Sequence, residues 1–460
     1  MRVLGATAAL AVPPGLFGCG PLQLGTRADG ARTLAARPDD RPAPAEAIDP
    51  VAFYRSRGLI SNGPPLPFAG SVRFLATASG DSTYAIVSLA LGASALTFRR
   101  EGDEFRADYR VTLTLRRDAE LVARAEATEP VRIATLRETL RSDEGVLFQQ
   151  IIAAPPGTHA LTVEVRDIAS GRASSHSLAV QVPVFDRGGI ALPAPVYESV
   201  PRTSLAAIPR LVMNPRGAAI AGADSVLNVY VETYREDAAR PVAIALHVED
   251  ELVWADTVMP VAAAELGTAL LRIPLAGVAI GTADILAWPV GGRDTARTPA
   301  FVGFSDDIPA TTYADMLGYL EYFTSESRLR ALRRAPPRER GTAWRELMVG
   351  TDPRPGTLAN EALRAYFGRM QRANLAYGEG GVPGWRTDRG MVLLVLGEPD
   401  QVLDQFSGDA TLRGRVQQWD YSALNLTIVF EDAMGLNRWR LTRASEAALA
   451  AERERRQGRP

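Results

Sequence analysis

Three carboxylates crowd one short stretch of this 460-residue chain: Asp388, Glu398 and Asp400. Two positioned carboxylates can run general acid/base or glycosidic chemistry. An oxygen-rich cluster can also hold calcium, and Asp404, Asp409 and Asp420 lie near enough in sequence to join. Their spacing matches no calcium loop, so no metal is expected. The residues that other chemistries need are scarce. The three histidines, His159, His176 and His247, fall well upstream, the one cysteine is Cys19, and there is no lysine. Zinc sites of the usual kind, Ser-His triads, thiol nucleophiles and Schiff-base lysines are therefore excluded from this region. A carboxylate-based hydrolase around Asp388, Glu398 and Asp400 is the enzyme reading that survives, and no cofactor is expected.

The same carboxylates have a structural reading. They belong to "PGWRTDRGMVLLVLGEPD", residues 383–400. Gly384 and Gly390 bracket a turn that contains Trp385, Arg386, Thr387, Asp388 and Arg389. Asp388 can accept hydrogen bonds from backbone N–H groups of its own turn, or from Thr387. Trp385 would pack on the preceding helix while its N–H finds one partner. The apolar run "MVLLVLG" reads as a strand, closed by a second turn at Gly397, Glu398, Pro399 and Asp400. On this reading 383–390 is a rigid connector that locks a helix over 357–377 onto a strand over 391–397. This favours a binding or structural role over an enzymatic one.

These residues need elements to position them. "TLANEALRAYFGRMQRANLAYG" predicts a helix capped by Thr357, with Leu358, Ala362, Ala365 and Phe367 turned inward. Gly378 to Gly381 stop it. "VQQWDY", "LTIVFED" and "NRWRLT" predict further strands. Trp419, Tyr421, Phe430 and Trp439 on them form either an aromatic binding face or the core of the small sheet. Arg328, Arg330, Arg333 and Arg334 read as a solvated helical face.

Upstream the period changes to two. Tyr109, Val111, Leu113 and Leu115 alternate with polar residues, as do Leu161, Val163 and Val165, then Leu178, Val180 and Val182. A second run repeats the pattern with Leu227, Val229 and Val231, then Val242, Ile244, Leu246 and Val248. The predicted architecture is multidomain and mainly β, with two immunoglobulin-like β-sandwiches followed by a C-terminal α+β domain. The expected boundaries are 1–19 for a signal peptide, 20–66 for a tether and short helical segment, 67–186 and 187–305 for the sandwiches, 306–446 for the α+β domain, and 447–460 for a charged tail.

Fifty-one basic and 53 acidic residues give a formal charge of −2, and no basic block advertises nucleic-acid binding. The start of the chain, "MRVLGATAALAVPPGLFGCG", has a charged residue, an apolar run and a small residue before Cys19. That is a secretory signal, and Leu16-Phe17-Gly18-Cys19 resembles a bacterial lipobox, with Cys19 as the lipidated residue. An ordinary cleaved signal is the alternative. The expected location is the cell envelope, anchored by lipid. Gly20 lacks the acidic side chain that favours inner-membrane retention, so the outer membrane is preferred.

Several separated motifs then agree in order. "DPRPGTLANEALRAYFGRMQRAN", "GWRTDRGMVLLVLGEPD", "QQWDY" and "FEDAMG" resemble the GWxTD domain of bacterial envelope proteins, over about 306–446. Gly384-Trp385-Arg386-Thr387-Asp388 carries the motif itself. The resemblance implies an envelope lipoprotein and brings no activity or substrate with it. "LGEPD", "WDY" and "FEDAMG" are also similar, in order, to small outer-membrane assembly lipoproteins of the SmpA/OmlA kind. The resulting expectation is a lipid-anchored module that binds another envelope protein or a polysaccharide.

Overall fold

The computed structural model describes residues 50–135, 145–221, 224–304, 311–354, 360–406 and 414–457. The signal segment, Cys19, most of the tether, Thr357, Leu358 and Asp409 lie outside the described residues. So does the middle of "TLRETLRSDEGVLFQQ". The chain divides into two compact units, one ending at Thr312 and the other starting at Tyr313.

The first unit holds both sandwiches. In the first, a sheet of Ile60–Asn62, Phe68–Ala76, Thr83–Gly92 and Gly145–Ala154 faces one built on Glu104–Arg117, Gly157–Asp167 and Ala173–Val182. Alternation decides which side chains enter the core. Val111 lies opposite Val165, Leu113 opposite Val163 and Leu115 opposite Leu161, and all six are buried. Glu120–Ile133 flanks this sheet as a long edge strand. Helix Pro50–Ser56 lies where the short helical segment is expected, and strand Ile60–Asn62 joins the first sandwich ahead of residue 67, with Ile60 and Leu66 fully buried.

The second sandwich pairs two five-stranded sheets around Leu227, Val229, Val231, Val242, Ile244 and Leu246. Most pairings are antiparallel; Ala218–Ile220 runs parallel to Ala296–Gly303. A further apolar cluster joins the two sandwiches, with Leu75 and Ile86 from the first and Tyr230, Tyr234 and Leu266 from the second. At its centre is a buried ion pair. Glu232 accepts hydrogen bonds from Arg202 Nε (2.9 Å), Tyr230 (2.7 Å) and Tyr234 (2.8 Å). Arg202 also reaches the Ala76 carbonyl in the first sandwich, at 3.0 Å. Burial opposes the Arg202 charge, but its hydrogen bonds to Glu232 outweigh that and hold its pKa above the ordinary value.

The second unit is α+β. Helices Tyr313–Tyr319, Glu326–Arg334, Pro337–Thr351 and Glu361–Tyr377 come first. The motif follows, then an antiparallel meander of Gln401–Phe406, Arg415–Tyr421, Leu426–Asp432 and Arg440–Leu441. Helix Arg443–Gln457 takes in the described part of the predicted charged tail and is docked on the domain. Its Ser445 hydroxyl accepts the Val429 N–H (2.8 Å), and Arg456 donates to the Val395 carbonyl (2.8 Å).

The run "MVLLVL" is not a strand. Asp388–Leu396 is an α-helix, buried continuously from Val392 to Leu396. An unbroken apolar run has no period of its own, so neighbouring signals decide. Here Thr387 caps the start by accepting the Gly390 N–H (3.2 Å), and Gly397, at φ +91°, closes the end.

Candidate functional site

The long helix Glu361–Tyr377 supports the motif. Its cap is Asn360, whose side chain accepts the Leu363 N–H (2.9 Å) and donates to Met348 and Thr351 of the preceding helix. Its buried stripe is Leu363, Tyr366, Phe367, Met370 and Ala373, whereas Ala365 is exposed. After Tyr377 the chain reverses over Glu379–Val382, makes a 3₁₀ turn at Gly384–Arg386 and enters the motif helix.

The two glycines are where three backbones meet. A methyl group added at Gly384 would lie 1.8 Å from the Ala373 carbonyl oxygen of the long helix. One added at Gly390 would lie 1.8 Å from the Gly384 carbonyl oxygen. Long helix, turn and motif helix therefore touch main chain to main chain, which only glycine permits. Thr387 reinforces the corner by donating its hydroxyl to the Gly384 carbonyl (2.8 Å).

Trp385 is fully buried. Its ring meets Tyr319 edge-on at 5.7 Å and Tyr322 at 6.3 Å, and its backbone N–H donates to Asn374 Oδ1 at 3.1 Å. Contrary to expectation, its indole N–H has no hydrogen-bond partner among the described residues. Asp388, half-buried at the first turn of the helix, does not hold its own bend through the contacts seen. Its Oδ2 accepts the Leu441 N–H at 2.8 Å, tying the motif helix to the last strand. A carboxylate there also complements the helix N-terminus.

Arg389 is buried between the rings of Tyr377 and Trp439, 5.0 Å from each centroid. It donates to Glu379 Oε1 at 3.3 Å. Glu379 also accepts the Trp439 N–H (3.3 Å) and Arg440 Nη1 (3.4 Å). Burial pushes the Arg389 pKa down, and the Glu379 carboxylate opposes that shift.

Glu398 and Asp400 have other duties. Exposed Glu398 pairs with Arg372 at 2.9 Å. Asp400 Oδ2 accepts the Ser422 N–H (2.6 Å), and its own N–H donates to the Asp420 carbonyl (2.8 Å). Asp388 opens the motif helix while Glu398 and Asp400 follow its end, and nine helical residues set the two ends about 12 Å apart. A carboxylate pair acting across one glycosidic bond needs roughly 5–9.5 Å. Asp404 accepts Gln417 Nε2 (2.7 Å), and Asp420 accepts Thr427 and Gln418. Pro399 lies between these acids in the second turn, whose Gly397 carbonyl accepts the Tyr421 hydroxyl (3.1 Å).

The aromatic face is turned inward. Trp419, Tyr421, Phe430 and Trp439 are all buried, with Trp419 on Phe430 at 4.9 Å and on Tyr377 at 5.5 Å. These four residues form the sheet core, with Trp419 and Tyr421 on one face of Arg415–Tyr421. No group of three or more His, Cys, Asp or Glu side chains that could hold a metal occurs among the described residues.

Sequence reasoning passed over Asn374 and Glu379. Glu379 carried a signal, as a lone acid inside "GEGG" beside an arginine-rich turn. Within the sequence, that stretch reads only as a helix stop.

Comparison with known proteins agrees with this architecture at the level of one domain. No curated protein is similar to the chain. Among solved structures, red sea bream transglutaminase matches at 11% identity over 52% of this chain, with a TM-score of 0.17. The match spans 32% of that enzyme's chain, and a likeness at this level says nothing about activity. Residues 292–448 match the family model of the GWxTD domain. The C-terminal part of the chain, with its glycine-bracketed corner, thus carries a GWxTD domain.

Proposed function

We propose that this is a lipid-anchored protein of the bacterial cell envelope whose GWxTD domain is a binding or structural module for another envelope protein or a polysaccharide. One observation carries the reading. Gly384, Trp385, Thr387, Asp388, Arg389 and Gly390 are engaged with neighbouring parts of their own domain. A turn so committed is a scaffold for recognition by surrounding surfaces. The lipobox-like ending at Cys19 supports the anchor, and no described helix is long and apolar enough to cross a membrane. The opposing hydrolase reading draws no support from carboxylates placed at opposite ends of a helix.

The test is affinity capture of the full chain from solubilised envelope membranes, with Cys19→Ala and Asp388→Asn variants alongside. The reading expects Cys19→Ala to lose lipid labelling and membrane association. It expects Asp388→Asn to keep its captured partner or polysaccharide. Turnover of an envelope glycan that Asp388→Asn abolishes without loss of fold would sink it.

A further inference from the structure

Two neighbouring turns of the second unit carry apolar side chains into solvent. One runs from Asp432 to Trp439 between the last two strands, and Met434 and Leu436 at its tip are 70% and 64% exposed. The other runs from Glu379 to Val382 between the long helix and the motif, and its Val382 is also exposed. The turns lie side by side. Glu379 accepts the Trp439 N–H (3.3 Å), and a methyl group added at Gly380 would lie 3.5 Å from Arg438 Nη2.

The tip is held in place. Buried Asp432 accepts the Leu436 N–H (3.1 Å) and the Asn437 N–H (2.9 Å), and Arg415 fixes the same carboxylate (2.6 Å). Gly435 and Asn437 take left-handed backbone there, at φ +65° and +58°. Apolar side chains fixed on a protruding tip can leave water only against something outside the domain.

Charge around the tip selects what that is. Arg386, Arg438 and Arg440 are exposed on the two turns and their flanks. Of the acids in 378–386 and 431–440, Glu379 and Asp432 are buried and paired with arginines. Glu431 is the exposed one, opposite Arg440 across the strand pair. Among the described residues one other turn pairs two strongly exposed apolar side chains, Met259 (68%) and Val261 (73%). The exposed charges nearest to it in sequence are acids, Asp256 and Glu265. Only the first tip therefore joins apolar side chains to a basic rim. That pairing matches the boundary of an anionic bilayer, where apolar groups enter the acyl layer and guanidiniums stay among the phosphates.

We propose that these paired turns dip into a bilayer surface rich in anionic phospholipid and seat the GWxTD domain on the membrane. This rests on the membrane-anchored reading, which brings a bilayer within reach of the domain.

Met434→Cys in a Cys19→Ala background gives the full chain one thiol, for an environment-sensitive fluorophore, and removes the anchor. Vesicles of phosphatidylcholine with equimolar phosphatidylglycerol should brighten and blue-shift its emission saturably, and vesicles of phosphatidylcholine alone should not. The same label on Met259→Cys should respond to neither. Leu436→Asp should raise the lipid concentration needed by about tenfold or more. Arg438→Gln should raise it by about fivefold. Both side chains are exposed, and circular dichroism checks that each variant keeps its fold. No response from Met434→Cys, an equal response to neutral vesicles, or an equal response from Met259→Cys overturns the proposal. So does a response that grows with protein concentration before any vesicle is added, since a second copy then covers the tip. Insertion without lipid labelling of Cys19 in the unaltered chain fails the anchor reading alone; labelling without insertion fails this inference alone.

Discussion

Replacing Gly390 with alanine separates a packed corner from an ordinary helical glycine. In an exposed helix the change favours folding by about 1 kcal/mol, because alanine loses less backbone entropy. At Gly390 the new methyl would stand 1.8 Å from the Gly384 carbonyl oxygen, 2.7 Å from its carbon and 2.8 Å from Trp385 Cα. All three are backbone atoms, so no flexible side chain can yield. Restoring ordinary contact moves the motif helix by about 1.5 Å. Overpacking of this kind costs about 1–3 kcal/mol. The shift also pulls the Gly390 N–H from Thr387, and losing a cap costs about 1 kcal/mol. That loss roughly cancels the propensity gain, so the net expectation is destabilisation by about 1–3 kcal/mol. Gly368 in the long helix is the internal control, since an added methyl there meets nothing within 4 Å. Gly368→Ala should stabilise by up to about 1 kcal/mol. Urea dependence of amide hydrogen exchange across 388–396, in the full chain, reads the C-terminal unit separately from the sandwiches. A Gly390→Ala protein as stable as Gly368→Ala would refute the three-backbone corner.

Other perturbations follow from the same contacts. Glu379→Gln leaves Arg389 buried without its counter-charge, and unfolding of the second unit should become easier by about 3–5 kcal/mol in urea titration. Glu232→Gln should cost a similar amount, about 3–5 kcal/mol, but in the sandwich unit, with faster proteolysis between the sandwiches. Asp432 supplies a pH dependence: burial pushes its carboxyl up, yet hydrogen bonds from Arg415 and from the Asn437 and Leu436 N–H groups outweigh this and hold it below its ordinary value. Its contribution is thus complete above the unfolded carboxyl value near 4 and is lost as pH falls through the lower folded value. Stability of Asp432→Asn should accordingly vary less with pH below about 4 than that of the unaltered chain.

The strands were legible because one buried face imposes a period of two. Tyr109 to Leu115 and Leu227 to Val231 alternate as read, and their inward members are buried. The motif helix was not legible by the same rule. Met391 to Leu396 is apolar throughout, because long helix, sheet and C-terminal helix surround it and no polar face remains to mark a period. Its start signal, Thr387 followed by Asp388, was present and read as a turn. Both glycines stand out in the sequence, but their purpose depends on the approach of Ala373 and Gly384 carbonyls, which no local pattern encodes. The turn composition offers Asp388 the N–H groups of its own turn or Thr387, whereas the N–H it accepts is that of Leu441, 53 residues away. The Arg202–Glu232 pair left a trace in "YVETY", where one acid shares a strand face with two tyrosines. Its cation came from a loop that no period reaches.

The motif carboxylate joins the motif helix to the final strand. Exchange of the Leu441 amide with deuterium measures that bond, since this N–H donates to Asp388 Oδ2. The amide should be protected in the unaltered chain, protection should be largely kept in Asp388→Asn, and it should fall by about tenfold in Asp388→Ala. Equal protection in all three proteins would contradict it.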